Sequence, residues 1–217
     1  MSKASSPRST AVASPWTAAD SRAKQREKKH RAVLQTAARL FNERGFHATS
    51  LDDIAAQLHV SKPTLYYYVK SKDEILLQCV REAQVLLQTG IAQVRQEGGR
   101  ALDQLVACMR IYAIYVTDDF GQCVIRIGED PLPPPLQKQL RTLKAGIDKE
   151  FRGLISEGIT EGSLKPCNAK LAAFMLAGAL SWIGRWYQHG RGLSPEQIAD
   201  ESIQILLGGV IATEPTA

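Results

Sequence analysis

Between Ser50 and Lys72 the chain reads SLDDIAAQLHVSKPTLYYYVKSK, a run that fits two short helices about a tight turn. Leu51, Ile54, Ala55 and Leu58 recur at offsets of three and four, which makes one apolar helical face. Asp52 and Asp53 fall in the first turn, where the macrodipole favours acids. Thr49 and Ser50 precede this helix as N-cap residues, and His59 and Val60 turn the corner. Ser61 then caps a second helix with Pro63 in its first turn, where a missing N–H costs nothing. This second helix, expected from Lys62 to about Tyr68, offers mainly Leu65 and Val69 to a core. Lys62, Thr64, Tyr66, Tyr67 and Tyr68 are therefore expected to point outward, and in a helix-turn-helix that face enters the major groove.

The residue types suit nucleic acid. A lysine such as Lys62 reaches a guanine edge or a phosphate, and Thr64 offers a hydroxyl to a base and a methyl to thymine. The tyrosines offer phenolic donors to phosphate oxygens. Lys72 opens the next helix, where its ammonium and the free backbone N–H groups can hold one phosphate together. Ser50 and Ser61, at the two helix starts, complete the candidate DNA-facing set.

The stretch from Ala48 to Lys72, with FNERGFHATS ahead of it, resembles the DNA-binding domain of the tetracycline-repressor-like (TetR) family over about Lys28 to Leu77. The resemblance implies that Lys62, Thr64 and Tyr67 lie at bases or nearby backbone. It implies that Thr49, Tyr66, Tyr68 and Lys72 lie at phosphates. His59 replaces the usual glycine of the turn, which requires a histidine at positive φ, and Pro63 replaces a commoner small residue.

Charge is unevenly spread. Residues 1 to 31 carry eight Lys/Arg against two acids, whereas the rest of the chain carries 19 basic and 20 acidic residues, so the net +5 arises wholly at the N-terminus. A basic segment beside a helix-turn-helix is an electrostatic footprint for phosphates. Residues 1 to 23 are expected to be a disordered basic arm, either a merely solubilising tail or one from which Arg22, Lys24 and Arg26 reach a flanking minor groove. Residues 24 to 71 are expected to form the DNA-binding domain, and 72 to 217 a helical ligand-binding and dimerisation domain. The N-terminus lacks the apolar core of a secretory signal, and no apolar run is long enough to span a bilayer. The expected location is cytoplasmic, with reduced thiols at Cys79, Cys108, Cys123 and Cys167.

The remaining chain also reads as helix, so the fold class is all-α, about nine helices in all. A first helix from Lys24 ends at Gly45, and a long one runs from Lys72 to about Gln96. Five more follow, near Ala101 to Val116, Gly121 to Ile127, Pro134 to Glu161, Ala169 to His189 and Pro195 to Ile211. Glycines and prolines separate them, Gly121 among them. In the helix after Asn168, Ala173, Ala177 and Ser181 make a ridge of small residues that permits close helix approach. Phe174, Met175, Trp182 and Trp186 supply bulk, and a helix apolar nearly all round needs cover on both sides. The resemblance implies that the last two helices of each subunit form a dimer interface, with Ala173, Ala177, Ser181, Ile203, Leu206 and Val210 as candidates. It also implies an inducer site, for which Met109, Tyr112, Tyr115, Phe120, Trp182 and Trp186 are candidate linings. The run WIGRWYQHGRGLSPEQIA is similar to segments of family members that answer to fatty acyl-CoA or related ligands.

His30, His47, His59 and His189 lie in unrelated segments, and no metal-spaced cluster or nucleophile motif is present, so neither catalysis nor a cofactor is expected. The resemblance implies a homodimeric regulator, most often a repressor, released from a palindromic operator on double-stranded DNA by a small-molecule inducer. Two other classes share parts of this pattern. An architectural DNA-binding protein would lack the inducer, and a helical carrier would lack the operator.

Overall fold

The cationic segment from Arg22 to Arg31 and the first apolar stripe belong to one helix. The computed structural model describes residues 22–128 and 132–208, and within them every regular element is helical. Positions 1–21 of the expected arm, and Val210, lie outside the described residues. Helix α1 (Arg22–Arg44) buries Val33, Leu34, Ala37, Ala38, Leu40 and Phe41. It begins two residues before the expected Lys24, so Arg22, Lys24 and Arg26 are helix side chains rather than part of an extended arm. Gly45 ends α1 at φ +91°, and its N–H donates to the Phe41 carbonyl at 3.0 Å.

Two side-chain caps define the next pair. Ser50 accepts the Asp53 N–H, and the Asp53 carboxylate accepts the Ser50 N–H, so α2 (Leu51–Gln57) starts with a reciprocal capping box. The Ser50 hydroxyl, which donates to the same carboxylate at 2.5 Å, and then the Ser50 N–H hold the Asp53 carboxyl below its ordinary pKa. His59 turns the chain at φ +54°, the left-handed conformation its place in the turn requires. Ser61 caps α3 (Lys62–Tyr66), which is two residues shorter than expected, with Tyr67 as its C-cap. From the Ser71 cap, α4 (Lys72–Glu97) runs for 26 residues, about 39 Å at the helical rise.

Helix α5 (Ala101–Tyr115) is the post of the larger part and packs against α4, α7 (Pro134–Thr160), α8 (Ala169–Trp186) and α9 (Pro195–Gly208). Its Leu105, Cys108 and Met109 are fully buried, with Phe151 and Leu154 of α7. Burial pushes the Cys108 thiol up to about 11, so it stays protonated near neutral pH. No helix among the described residues is long and apolar enough to cross a membrane.

Helix α6 (Asp119–Ile127) touches α1, α4 and α8. Its Arg126 guanidinium donates to the carbonyls of Asn42 (3.0 Å), Gly184 (3.0 Å) and Tyr187 (3.2 Å). At its other end Asp119 accepts from Arg39 at 2.9 Å, and its carbonyl accepts from the Asn42 amide at 2.9 Å. A polar joint thus ties the end of α1 to α6 and to the end of α8.

Gly121 does not separate helices, as expected from the sequence, but sits inside α6, which starts from the Asp118 cap. A β-carbon there would collide with the Tyr115 carbonyl, so the glycine lets α6 lie against the end of α5. Gly121→Ala should lower stability by about 2 kcal/mol or more, since the obstacle is backbone. A thermal unfolding midpoint equal to wild type would show that the α5–α6 turn yields instead.

Candidate nucleic-acid interface

Helix α3 gives the core only Leu65, with Val69 just beyond it, and shows its remaining face to solvent. Lys62 and Tyr66, one turn apart, share a face, and Tyr66 is 46% exposed. Beside them lies a cleft of about 540 Å³ whose walls include Ser50, Asp52, Lys62, Tyr66, Ser71 and Lys72. The Lys72 ammonium donates to the carbonyls of Phe46 (2.9 Å) and His47 (3.4 Å) and sits 4.9 Å from the centre of the Phe46 ring. Its charge is thereby held at the mouth of the α1–α2 loop, next to the start of α2. The Lys62 ammonium pairs with Asp52 at 2.8 Å, which raises its pKa. An exposed pair of this kind contributes little to stability, so exchange of Asp52 for a phosphate costs little. In the sequence Asp52 reads only as a helix-start acid. Its pairing with Lys62 depends on the turn angle, which spacing does not give.

Four of the sequence candidates take other positions. Thr49 is 1% exposed, and its hydroxyl donates to the carbonyls of Gly45 (2.9 Å) and Leu40 (3.3 Å). This corrects its expected side-chain contact with phosphate, because the hydroxyl fastens α1 to the start of α2. The Thr64 hydroxyl is turned to its own cap, 2.8 Å from the Ser61 oxygen. Tyr67, 64% exposed, lies round the helix from Tyr66 and carries the Arg26 guanidinium 5.2 Å from its ring centre. Tyr68 is half-buried and meets Tyr67 edge to face.

The expected ligand lining divides into two places. Met109, Tyr112, Tyr115 and Phe120 are buried together in the α5–α6 core, whereas Trp182 (63%) and Trp186 (49%) are exposed. The Tyr115 hydroxyl is buried with no hydrogen-bond partner, and burial raises its pKa well above the usual tyrosine value. The two tryptophans belong to a stripe on α8 with Leu171, Phe174 and Met175, and Ile205 and Leu207 of α9 are exposed as well.

The small-residue ridge is corrected in the same way. Ala173 is fully buried, Ala177 packs against the core, and Ser181 shares a 2.6 Å hydrogen bond with the Tyr112 hydroxyl. Ile203 is buried and Leu206 packs against the core too. Ala173, Ala177 and Ser181 face inward because the close approach of α8 to α5 and α7 needs small side chains. The bulky stripe on the opposite side of α8 is left uncovered.

Residues 98–210 match the family model described as tetracyclin repressor-like, C-terminal domain, and residues 33–79 that of bacterial regulatory proteins, tetR family. The HTH-type transcriptional repressor KstR2 of Mycolicibacterium smegmatis is 25% identical over 185 residues, 84% of this chain and 90% of its own length. The structure of AibR in complex with isovaleryl coenzyme A and operator DNA is 26% identical, with a TM-score of 0.72 over 82% of this chain and 98% of that one. KstR2 of Mycobacterium tuberculosis shares the fold at a TM-score of 0.77 and 21% identity, over 85% of this chain and 96% of that one. A helix-turn-helix with an outward basic and phenolic face, followed by a matching helical domain, places this chain in the TetR family of transcriptional regulators.

Proposed function

We propose that the chain is a cytoplasmic, homodimeric repressor that leaves a palindromic operator when an acyl-CoA binds. Residues 24–71 are its DNA-binding unit, and the chain from 72 onward senses ligand and dimerises. The observation that carries the DNA reading is the cleft beside α3, where Ser50, Lys62, Tyr66 and Lys72 come together from three helices. Donors held on rigid elements around one concave strip suit a phosphate backbone. The uncovered stripe of α8 and α9 supports a C2 dimer, the symmetry that two half-sites one DNA turn apart require.

Support for the inducer comes from chemistry in the core and from relatives. AibR has been solved with isovaleryl coenzyme A, and a fatty acid metabolism regulator of Bacillus subtilis is 20% identical over 86% of this chain. The unpartnered Tyr115 hydroxyl is a buried donor that a thioester carbonyl would satisfy. A cleft of about 230 Å³ between α4 and α7, floored by Leu87, Ile91, Leu143 and Ile147, gives an acyl chain an apolar approach. Ligand would favour an arrangement with α5 and α7 spread, and α4, rigid from Lys72 to Glu97, would carry that change to the DNA-binding unit.

Selection by the full-length protein from a random duplex pool should recover a palindrome with half-sites about 10 bp apart. Recovery of no consensus would overturn the operator reading. On the recovered duplex, Lys72→Ala should weaken binding and reduce the log–log salt slope by about 0.9 per protomer; an unchanged slope would remove Lys72 from the interface. Trp182→Glu should yield a folded monomer in sedimentation, and a dimer as tight as wild type would move the interface elsewhere. Isovaleryl-CoA or a longer acyl-CoA, at about 100 times its Kd, should add about 2.7 kcal/mol of stability. No thermal shift with either would sink that inducer class.

A further inference from the structure

Helix α1 begins against its own electrostatics. Six of the ten residues from Arg22 to Arg31 are Lys or Arg, the single acid is Glu27, and the first turn contains no acid at all. Cations at a helix N-terminus oppose the macrodipole and one another, so this charge does not serve the stability of α1. Arg22, Arg26 and Lys29 of α1 line a groove of about 390 Å³ together with Tyr67 and Tyr68, and it shares no lining residue with the Lys72 cleft. The Arg26 guanidinium lies 5.2 Å from the centre of the Tyr67 ring, and that ring meets Tyr68 edge to face with centroids 5.1 Å apart. Stacking of this kind holds a guanidinium by its face and leaves its N–H edge available to a planar or tetrahedral anion. Tyr67 immediately follows Tyr66 in sequence, about 100° further round, which is why one lines the Lys72 cleft and the other the α1 groove.

We propose that this groove is a second cradle for the DNA backbone, so that α3 is flanked by a phosphate-binding cleft on each side. The inference rests on the operator-binding reading above and adds Arg22, Arg26 and Tyr67 as contacts to the opposite phosphate ridge. An α-helix with its side chains is roughly 10–12 Å across, and the major groove is about 12 Å wide. A helix seated there therefore has one strand's phosphates on either flank. The Lys72 cleft receives one of them, and the groove formed by α1 and Tyr67 receives the other. Because α1 is helical from Arg22 onward, its guanidinium groups project from a rigid rod. They meet backbone phosphates, not the floor of a minor groove as an extended arm would.

The test uses the full-length chain and the duplex recovered by selection, with Lys72→Ala measured in parallel. Arg22→Ala with Arg26→Ala should weaken binding roughly tenfold, by the same factor on recovered and scrambled duplexes, and lower the salt slope by about 1.8 per protomer, about 0.9 for each contact. Its thermal midpoint should equal or exceed wild type, because the removed charges oppose the helix dipole. Tyr67→Phe, which keeps the stack, should retain more affinity than Tyr67→Ala. A slope that falls in Lys72→Ala but not in the arginine double variant would overturn the second cradle and leave the operator reading intact. An arginine effect that changes when flanking A·T pairs are replaced by G·C would overturn it in favour of minor-groove contact. Unchanged slopes in both variants would overturn the shared DNA reading.

Discussion

One guanidinium holds the two halves of this molecule in register. Arg126 donates to carbonyls near the ends of both α1 and α8, where backbone acceptors have no partner within the helix and the dipole is negative. Removal of that cation would leave two helix ends facing each other with like partial charge across a partly buried cleft. Asp119 and Gln122 complete the arrangement, one receiving Arg39 and the other donating to the Tyr187 carbonyl at 3.0 Å. The DNA-facing helices are therefore not hung on α4 alone. They have a second, polar attachment to the sensor through α6, and through α6 to the helix that bears the uncovered tryptophans.

That arrangement divides the work between two kinds of contact. Apolar burial, which is tolerant of direction, fills the centre around α5 and runs without interruption from Val33 to Ile203. Hydrogen bonds, which are directional, set the angles: the capping box of α2, the Ser61 cap of α3, and the Arg95 guanidinium that joins the end of α4 to Glu150 and Glu157 of α7. A continuous core with directional bonds at its edges is suited to two discrete arrangements more than to gradual deformation.

Much of this was legible in the residues, for local reasons. Ser50 and Ser61 cap helices where their spacing to the first apolar residue predicts it, and Gly45 stops α1 at positive φ. Such signals depend on a few neighbouring residues and the backbone between them. The misplaced readings all depended on how one element meets another across a turn or a packing contact. Gly121 reads as a breaker until the Tyr115 carbonyl is seen against it. Thr49 reads as a phosphate ligand until the end of α1 is brought to its hydroxyl. On α8 the ridge of Ala173, Ala177 and Ser181 and the stripe of Phe174, Trp182 and Trp186 both have helical periodicity. Periodicity identifies two faces without saying which one meets the protein's own core.

The phase of α8 is fixed by features on its inner face alone. The Tyr112–Ser181 hydrogen bond and the approach of Gly184 to the Val116 carbonyl, where a β-carbon would come within 2.9 Å, act as a key that admits one rotational setting. The tryptophans on the outer face take their bearing from that key. In a dimer joined through this helix, the angle between the two subunits, and with it the spacing of their reading heads, is set by atoms that never touch the partner. Selection for a given half-site spacing would then act on interior residues of α5 and α8 as strongly as on the surface where the subunits meet.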